Sequence, residues 1–247
     1  MLVADVKQPI LREKRTRSRS GYQAPSSQFV VSLPNLLARV GRGRLEDRQL
    51  SMLRDDASLF YAGDLTVLER PAVSIVGTRE VSDEGWRRAR KLSRLLVEAG
   101  VTVVSGLAKG VDTAALDAAL EGGGRVAAVI GTPLDRAYPA ENAEMQSRIF
   151  ADHLLISPFA NGERVYKSNF PVRNRVMAAI SDATVIIEAS DTSGTLHQAA
   201  ECVRLGRWLF IAKSVLDDKS LSWPEKFLNY QRTAALETVE DVVSRIR

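Results

Sequence analysis

A chain of 247 residues that is 45% apolar and 26% charged is long enough to bury the core of an ordinary α/β domain, and its composition excludes a disordered polymer. No apolar run reaches the ~18 residues that cross a bilayer as a helix, and the absence of an early apolar stretch argues against a secretory signal and a membrane partner. The net charge of +4 sits at the front: residues 1–50 hold ten Lys and Arg against four Asp and Glu, and residues 51–247 hold 24 against 26.

Residues 1–28 are basic, contain Ser and Pro, and show no periodicity, which predicts disorder. The tract REKRTRSRS at 12–20 suits either contact with nucleic acid or a solvated tail. LPNLLARV (33–40) and RLEDRQLSML (44–53) read as short helices broken at Gly41 and Gly43. Residues 1–57 are therefore expected to form a basic, partly disordered extension with short helices, ahead of a domain over 58–247.

Within that domain six short apolar runs read as strands covered on both faces: AVSIVG (72–77), VTVVSG (101–106), RVAAVIG (125–131), HLLIS (153–157), ATVIIEA (183–189) and RWLFIA (207–212). Helical segments lie between them. One spans 84–99, capped by Ser82 or Asp83 and stopped at Gly100; others span 111–121 and 193–205. The last begins at Thr238 with Asp241 three residues on, a variant capping box. Residues 213–237 are expected to be loop with one short helix. Strand and helix alternating in this way predict an α/β fold with a doubly wound, mainly parallel sheet. The only cysteine, Cys202, excludes an intramolecular disulfide and suits a reducing cytoplasm; within AAECVRL it reads as a small core residue.

In such a sheet, ligands gather beyond the carboxyl ends of the strands, where helix N-termini also point. The residues expected there are Gly77, Thr78 and Arg79 after the first run, Ser105, Gly106 and Lys109 after the second, and Ser193, Gly194 and Thr195 after the fifth. Gly131 reads as a turn residue. Pro171 suits a first helical turn, which would put Arg173, Asn174 and Arg175 near a helix N-terminus, where guanidinium groups favour phosphate. One of these arginines can instead pair with Glu188 or Asp182. No G-x-G-x-x-G or Walker A pattern is present. The two histidines, His153 and His197, lack ligand-spaced partners, so no metal or cofactor is expected. Tyr138, Tyr166 and Phe170 are candidates for stacking on bases, with core packing the alternative for Phe170.

Taken together, LFYAGDLTVLERPAVSIVGTR (59–79), SGLAKGVDTAAL (105–116), AYPAEN (137–142), FPVRNRVMAAIS (170–181), VIIEASDTSGT (185–195) and TVEDVV (238–243) resemble the DprA/Smf family of DNA-processing proteins. The resemblance implies an extended Rossmann-like fold. It also implies a cytoplasmic, non-enzymatic homodimer that binds single-stranded DNA and loads a RecA-type recombinase during transformation. Its basic pocket would fall on Arg79, Lys109, Arg173 and Arg175. The chain departs from the family at Thr113-Ala114-Ala115-Leu116, where a His is usual, and at Ser157-Pro158, where Ser-Glu is usual.

Two alternatives share this pocket. One is a nucleotide-sensing, SLOG-like domain. The other is a LOG-type phosphoribohydrolase, which splits a nucleoside monophosphate into base and ribose phosphate. The second would place Arg173 on its essential arginine. His197 and Gln198 stand where its catalytic glutamates would be, and neither is a carboxylate able to stabilise an oxocarbenium ion or activate water.

Overall fold

The computed structural model describes residues 21–42 and 58–246; the tract at 12–20 and the helix expected at 44–53 lie outside them. Along the chain come β1 (Phe29–Ser32), α1 (Leu33–Arg39), β2 (Ser58–Gly63), β3 (Ala72–Val76), α2 (Asp83–Glu98), β4 (Thr102–Ser105), α3 (Val111–Glu121) and β5 (Val126–Val129). Then follow α4 (Ala143–Asp152), β6 (Leu154–Ser157), α5 (Asn169–Ile180), β7 (Ala183–Ile186), α6 (Thr195–Arg204) and β8 (Trp208–Ala212). The chain closes with α7 (Lys213–Leu216), α8 (Glu225–Leu228), β9 (Thr233–Leu236) and α9 (Val239–Ile246).

The nine strands form one sheet in the order β1-β2-β6-β5-β4-β3-β7-β8-β9. The pairs β1–β2 and β2–β6 are antiparallel, and every other pair is parallel. Alternate residues of each strand enter two separate cores. Val76, Val104, Val129, Ile156, Ile186 and Ile211 meet Leu36 of α1, Met177 of α5 and Cys202 of α6 on one face. Ile75, Val103, Ala128, Leu155, Val185 and Phe210 meet Leu96 of α2, Leu116 of α3 and Ile149 of α4 on the other. Burial on both faces is why the six central strands read as unbroken apolar runs. The expected α/β, doubly wound, mainly parallel architecture is the one observed.

Helix boundaries follow local chemistry. Ser82 Oγ accepts from Gly85 N–H (3.0 Å) at the start of α2. Asp241 Oδ2 accepts from Thr238 N–H (2.8 Å) at the start of α9, the reaching-back half of a capping box. Three strands are additions to the six expected. Residues 29–39, placed in the extension by sequence alone, supply β1 and α1 to the sheet domain, and β2 joins β1 to β6. The 213–237 segment holds two short helices and an edge strand, β9. Its sequence TAAL has weak strand preference and is fixed by parallel pairing with β8, Leu209 opposite Thr233 through Ala212 opposite Leu236.

Residues 21–42 are anchored by buried polar contacts. Tyr22 donates its hydroxyl to Leu134 O (3.0 Å) and accepts from Gln146 Nε2 (2.8 Å). Arg42 is buried, donates to Leu68 O (2.6 Å) and Arg70 O (2.7 Å), and forks onto both oxygens of Asp182 at 2.9 and 2.7 Å. Asp182 also accepts from Ala72 N–H at the start of β3 (2.8 Å). Removing the buried Arg42 strands the partly exposed Asp182 carboxylate and two carbonyls, which costs about 1–3 kcal/mol. Arg42→Ala is therefore expected to lower the unfolding free energy by about that amount, read as a shift of the urea midpoint; a loss under ~1 kcal/mol would show that this anchor is not buried in solution.

Candidate nucleic-acid interface

In the sheet β3 lies between β4 and β7, so the chain winds away from β3 toward both flanks. Loops leaving the carboxyl ends of β3 and β7 diverge and leave a crevice there. It is a cavity of about 300 Å³, lined by Gly77, Thr78 and Arg79, by Asp112 of α3, by Phe170, Arg173 and Asn174 of α5, and by Ser193, Gly194 and Thr195 at the start of α6. His197 and Gln198 complete its wall. A smaller hollow adjoins it across Arg79, Ala108, Phe170 and Arg173 and adds Gly106, Lys109, Tyr138 and Pro139.

The floor is a buried ion pair. Arg173 Nη1 lies 3.6 Å from Asp112 Oδ2, and the two residues are 6% and 4% exposed. The same carboxylate oxygen accepts from Gly106 N–H (3.1 Å) and Ala108 N–H (3.4 Å), and so organises the loop after β4. Burial raises the Asp112 carboxyl above the ordinary carboxylate range, against the opposing pull of Arg173 and these amides. Burial likewise pulls Arg173 below its usual value, with Asp112 acting to hold it up. A methyl group at Gly106 would sit 1.0 Å from Arg173 Nη1, so glycine is required there for the guanidinium to occupy its place. Gly110 adopts φ +77°, and Val111 N–H donates to Thr78 O (3.2 Å), tying this loop to the one after β3. Leu107 is the one described non-glycine residue with positive φ, +57°, a local strain held by burial of its side chain in the core beneath the loop.

Above the floor stand the exposed groups. The Arg79 guanidinium lies over the Phe170 ring, 5.5 Å from its centroid, and no carboxylate among the described residues pairs with it. Tyr138, 50% exposed, has its ring centroid 5.8 Å from that of Phe170. Lys109 Nζ lies 2.5 Å from Glu141 Oε1 at the surface. Gly131 faces Phe170 directly: a Cβ there would come within 2.8 Å of the ring, so its smallness makes room for the aromatic as well as for a turn.

Two residues expected at the rim stand elsewhere. Arg175 lines neither hollow; its Nε donates to Glu201 Oε1 (3.0 Å), and Glu201 is shared with Arg204. Ser105 is fully buried and donates its hydroxyl to Ile75 O (2.7 Å), bracing β4 against β3. Arg173 is in place but already neutralised by Asp112. Glu188 and Asp182, the carboxylates expected as alternative partners of the α5 arginines, serve other groups. Glu188 accepts from Ser82 Oγ (2.7 Å) and N–H (3.2 Å), and Asp182 holds Arg42. Tyr166 is exposed with Arg164 over its ring (5.7 Å) and lines neither hollow. Glu141 and Asp112 had no role assigned from sequence; the signal for Asp112 was a carboxylate opening the helix that follows a glycine loop. Among the described residues no group of three metal-ligating side chains occurs, and no helix is long and apolar enough to cross a membrane.

Comparison with known proteins places this geometry. Residues 48–247 match the family described as DNA recombination-mediator protein A. DNA processing protein DprA of Streptococcus pneumoniae is 43% identical over 163 residues, 66% of this chain; the chain spans 57% of that relative's length. The X-ray structure of that organism's DNA processing protein A superposes with a TM-score of 0.72 at 35% identity, covering 81% of this chain and 70% of the other. DNA processing protein A from Helicobacter pylori, described for its single-stranded DNA binding mode, superposes with a TM-score of 0.68 at 26% identity, covering 80% and 90%.

Two outcomes follow from the geometry. Gly106→Ala is expected to evict Arg173 from its pocket and leave Asp112 unpaired, lowering stability by about 3 kcal/mol or more in urea denaturation; an unchanged midpoint would mean that the pair is not formed. Cys202 is buried against β8, its Sγ–H donating to Trp208 O (3.0 Å), and burial pushes the thiol up to about 12. It should therefore resist Ellman's reagent in the folded protein and react fully in denaturant; rapid native labelling would contradict its place in the core.

Proposed function

The chain belongs to the DNA recombination-mediator protein A family, and we propose that it holds single-stranded DNA along the rim formed by Arg79, Phe170, Tyr138 and Lys109. The observation that carries this is Arg79: an exposed guanidinium without a carboxylate partner, seated on one aromatic ring that neighbours a second, exposed one. A cation for the backbone beside ring faces for bases is the combination that binds unpaired strands, because only there are base faces available to stack. Gly77 and Thr78 border Arg79, and the Ser193, Gly194 and Thr195 turn opens α6 across the cavity. Hydroxyls and the positive end of α6 there suit a phosphate. Asn174 adds an amide to the same wall. In this reading Arg173 contributes by shaping the floor, and Arg175 and Ser105 contribute to the scaffold.

The same geometry favours holding over cleaving. Of the cavity's carboxylates, Asp112 is buried under Arg173, and Glu80 sits on the exposed rim after β3. Asp112 is committed to Arg173 and to the amides of Gly106 and Ala108, which leaves Glu80 without a free carboxylate to share acid and base roles. Delivery of the held strand to a RecA-type recombinase, by a homodimer, extends this reading; the family's description as a recombination mediator supports it.

Fluorescence anisotropy with labelled oligo-dT of increasing length, at several salt concentrations, tests the reading. Affinity is expected to rise with length and fall with salt. Arg79→Ala should weaken binding by about 1–2 kcal/mol and reduce the salt slope by about 0.7, one phosphate's share for a single strand. Arg175→Ala should stay within about twofold of wild type, since its guanidinium faces Glu201. Saturation by a mononucleotide with no gain from length would favour the nucleotide sensor, and release of free base from a nucleoside monophosphate would favour the hydrolase.

A further inference from the structure

Lys109 is the second exposed cation of the rim, and its ammonium is already held by Glu141. The side chains are 56% and 64% exposed, so this is a surface pair of the kind that opens at little cost. The backbone that carries Glu141 is nonetheless fixed. Asn142 donates from Nδ2 to Leu107 O (3.0 Å) and to Thr113 Oγ1 (2.9 Å), which clamps the 3-10 turn Ala140–Asn142 against the loop bearing Lys109. Contact with Lys109 holds the Glu141 carboxyl below the ordinary carboxylate range, so the group is ionised at neutral pH. One short segment thus presents Tyr138 to the path of a strand and a negative charge to the cation beside that path.

Resting on the reading of the rim as a single-stranded DNA site, we propose that Glu141 is an internal competitor for Lys109. Its carboxylate occupies the place of a backbone phosphate, and a strand gains Lys109 only by displacing it. Binding at this position exchanges one anion for another. The displaced carboxylate remains nearby and cancels one unit of charge, so the site acts toward a strand as though it had one cation fewer. A lone phosphate meets a neutral pair. A phosphate joined to a neighbour already on Arg79 arrives at high local concentration and can displace the carboxylate. Glu141 thereby sets the threshold for engagement and favours a continuous strand over isolated anions.

Oligo-dT titrations of wild type, Glu141→Gln, Lys109→Met and the double variant, each at several salt concentrations, test this. Glu141→Gln is expected to bind roughly threefold to fivefold more tightly, the range that an exposed ion pair allows. Its slope of log affinity against log salt should be steeper by about 0.7. In the Lys109→Met background the same substitution should give no gain. Thermal unfolding of Glu141→Gln should match wild type, because the pair is exposed. An affinity equal to wild type, or a gain of the same size without Lys109, overturns the proposal and leaves the strand site standing. Failure of the wild-type protein to bind the oligomer overturns both.

Discussion

The crevice depends on one buried ion pair. Asp112 and Arg173 meet beneath the cavity, and each fixes a different piece of chain. The carboxylate gathers the amides of Gly106 and Ala108, and the guanidinium fills the space that glycine at 106 leaves open. Helix α5 is thereby joined to the loop between β4 and α3, and that loop to the end of β3 through Val111 and Thr78. Two strand ends and a helix thus become one floor. Breaking such a pair by removing one partner costs about 3–5 kcal/mol, whereas an exposed pair is worth about 0–1. The segment from β4 into α3 thus carries one contact of each kind, Asp112 with Arg173 in the helix's first turn and Lys109 with Glu141 in the loop. The first is scaffold, and the second is weak enough to exchange with a ligand.

That division changes which cations face a ligand. A guanidinium neutralised beneath the floor offers little net attraction to a polyanion, so the surface field falls to Arg79, with Lys109 added only where Glu141 is displaced. Phe170 has a double part in this. It fills the space left by Gly131, and its ring supports the Arg79 guanidinium. The cation is kept at the mouth of the cavity by a ring face, which leaves its N–H groups without a competing anion.

Much of this was legible in the sequence. The six central strands announced themselves because both faces are covered, and the topology they imply put Gly77–Arg79, Gly106, Lys109 and Ser193–Thr195 on one rim before any coordinates. β1, β2 and β9 were harder, since they lie toward the sheet's edges and owe their form to pairing with neighbours rather than to their own pattern. The separation of Arg173 from Arg175 is encoded locally: residues two apart on a helix point about 200° apart, so both cannot face one crevice. The partnership of Arg173 with Asp112 was not available. It joins residues on two elements packed at opposite sides of the sheet, and no local period or spacing encodes it.

A body that is close to neutral can still hold a polyanion if its charges are unevenly paired. Residues 51–247 carry slightly more acid than base, so net attraction cannot explain binding by this part of the chain. What matters is where paired and unpaired cations fall: Arg173 is committed to Asp112, and Arg175 and Arg204 to Glu201, whereas no described carboxylate pairs with Arg79. Arg79 is left over at the place where the sheet topology opens a cavity. With Glu141 cancelling Lys109, the rim accounts for a salt slope of only about 0.7 on a single strand. Any steeper dependence must come from cations beyond the crevice, and the net positive excess lies in the first fifty residues. In the proposed reading, registration of a strand and attraction toward it are therefore separable, the first set by the rim and the second by the net positive charge of the leading segment.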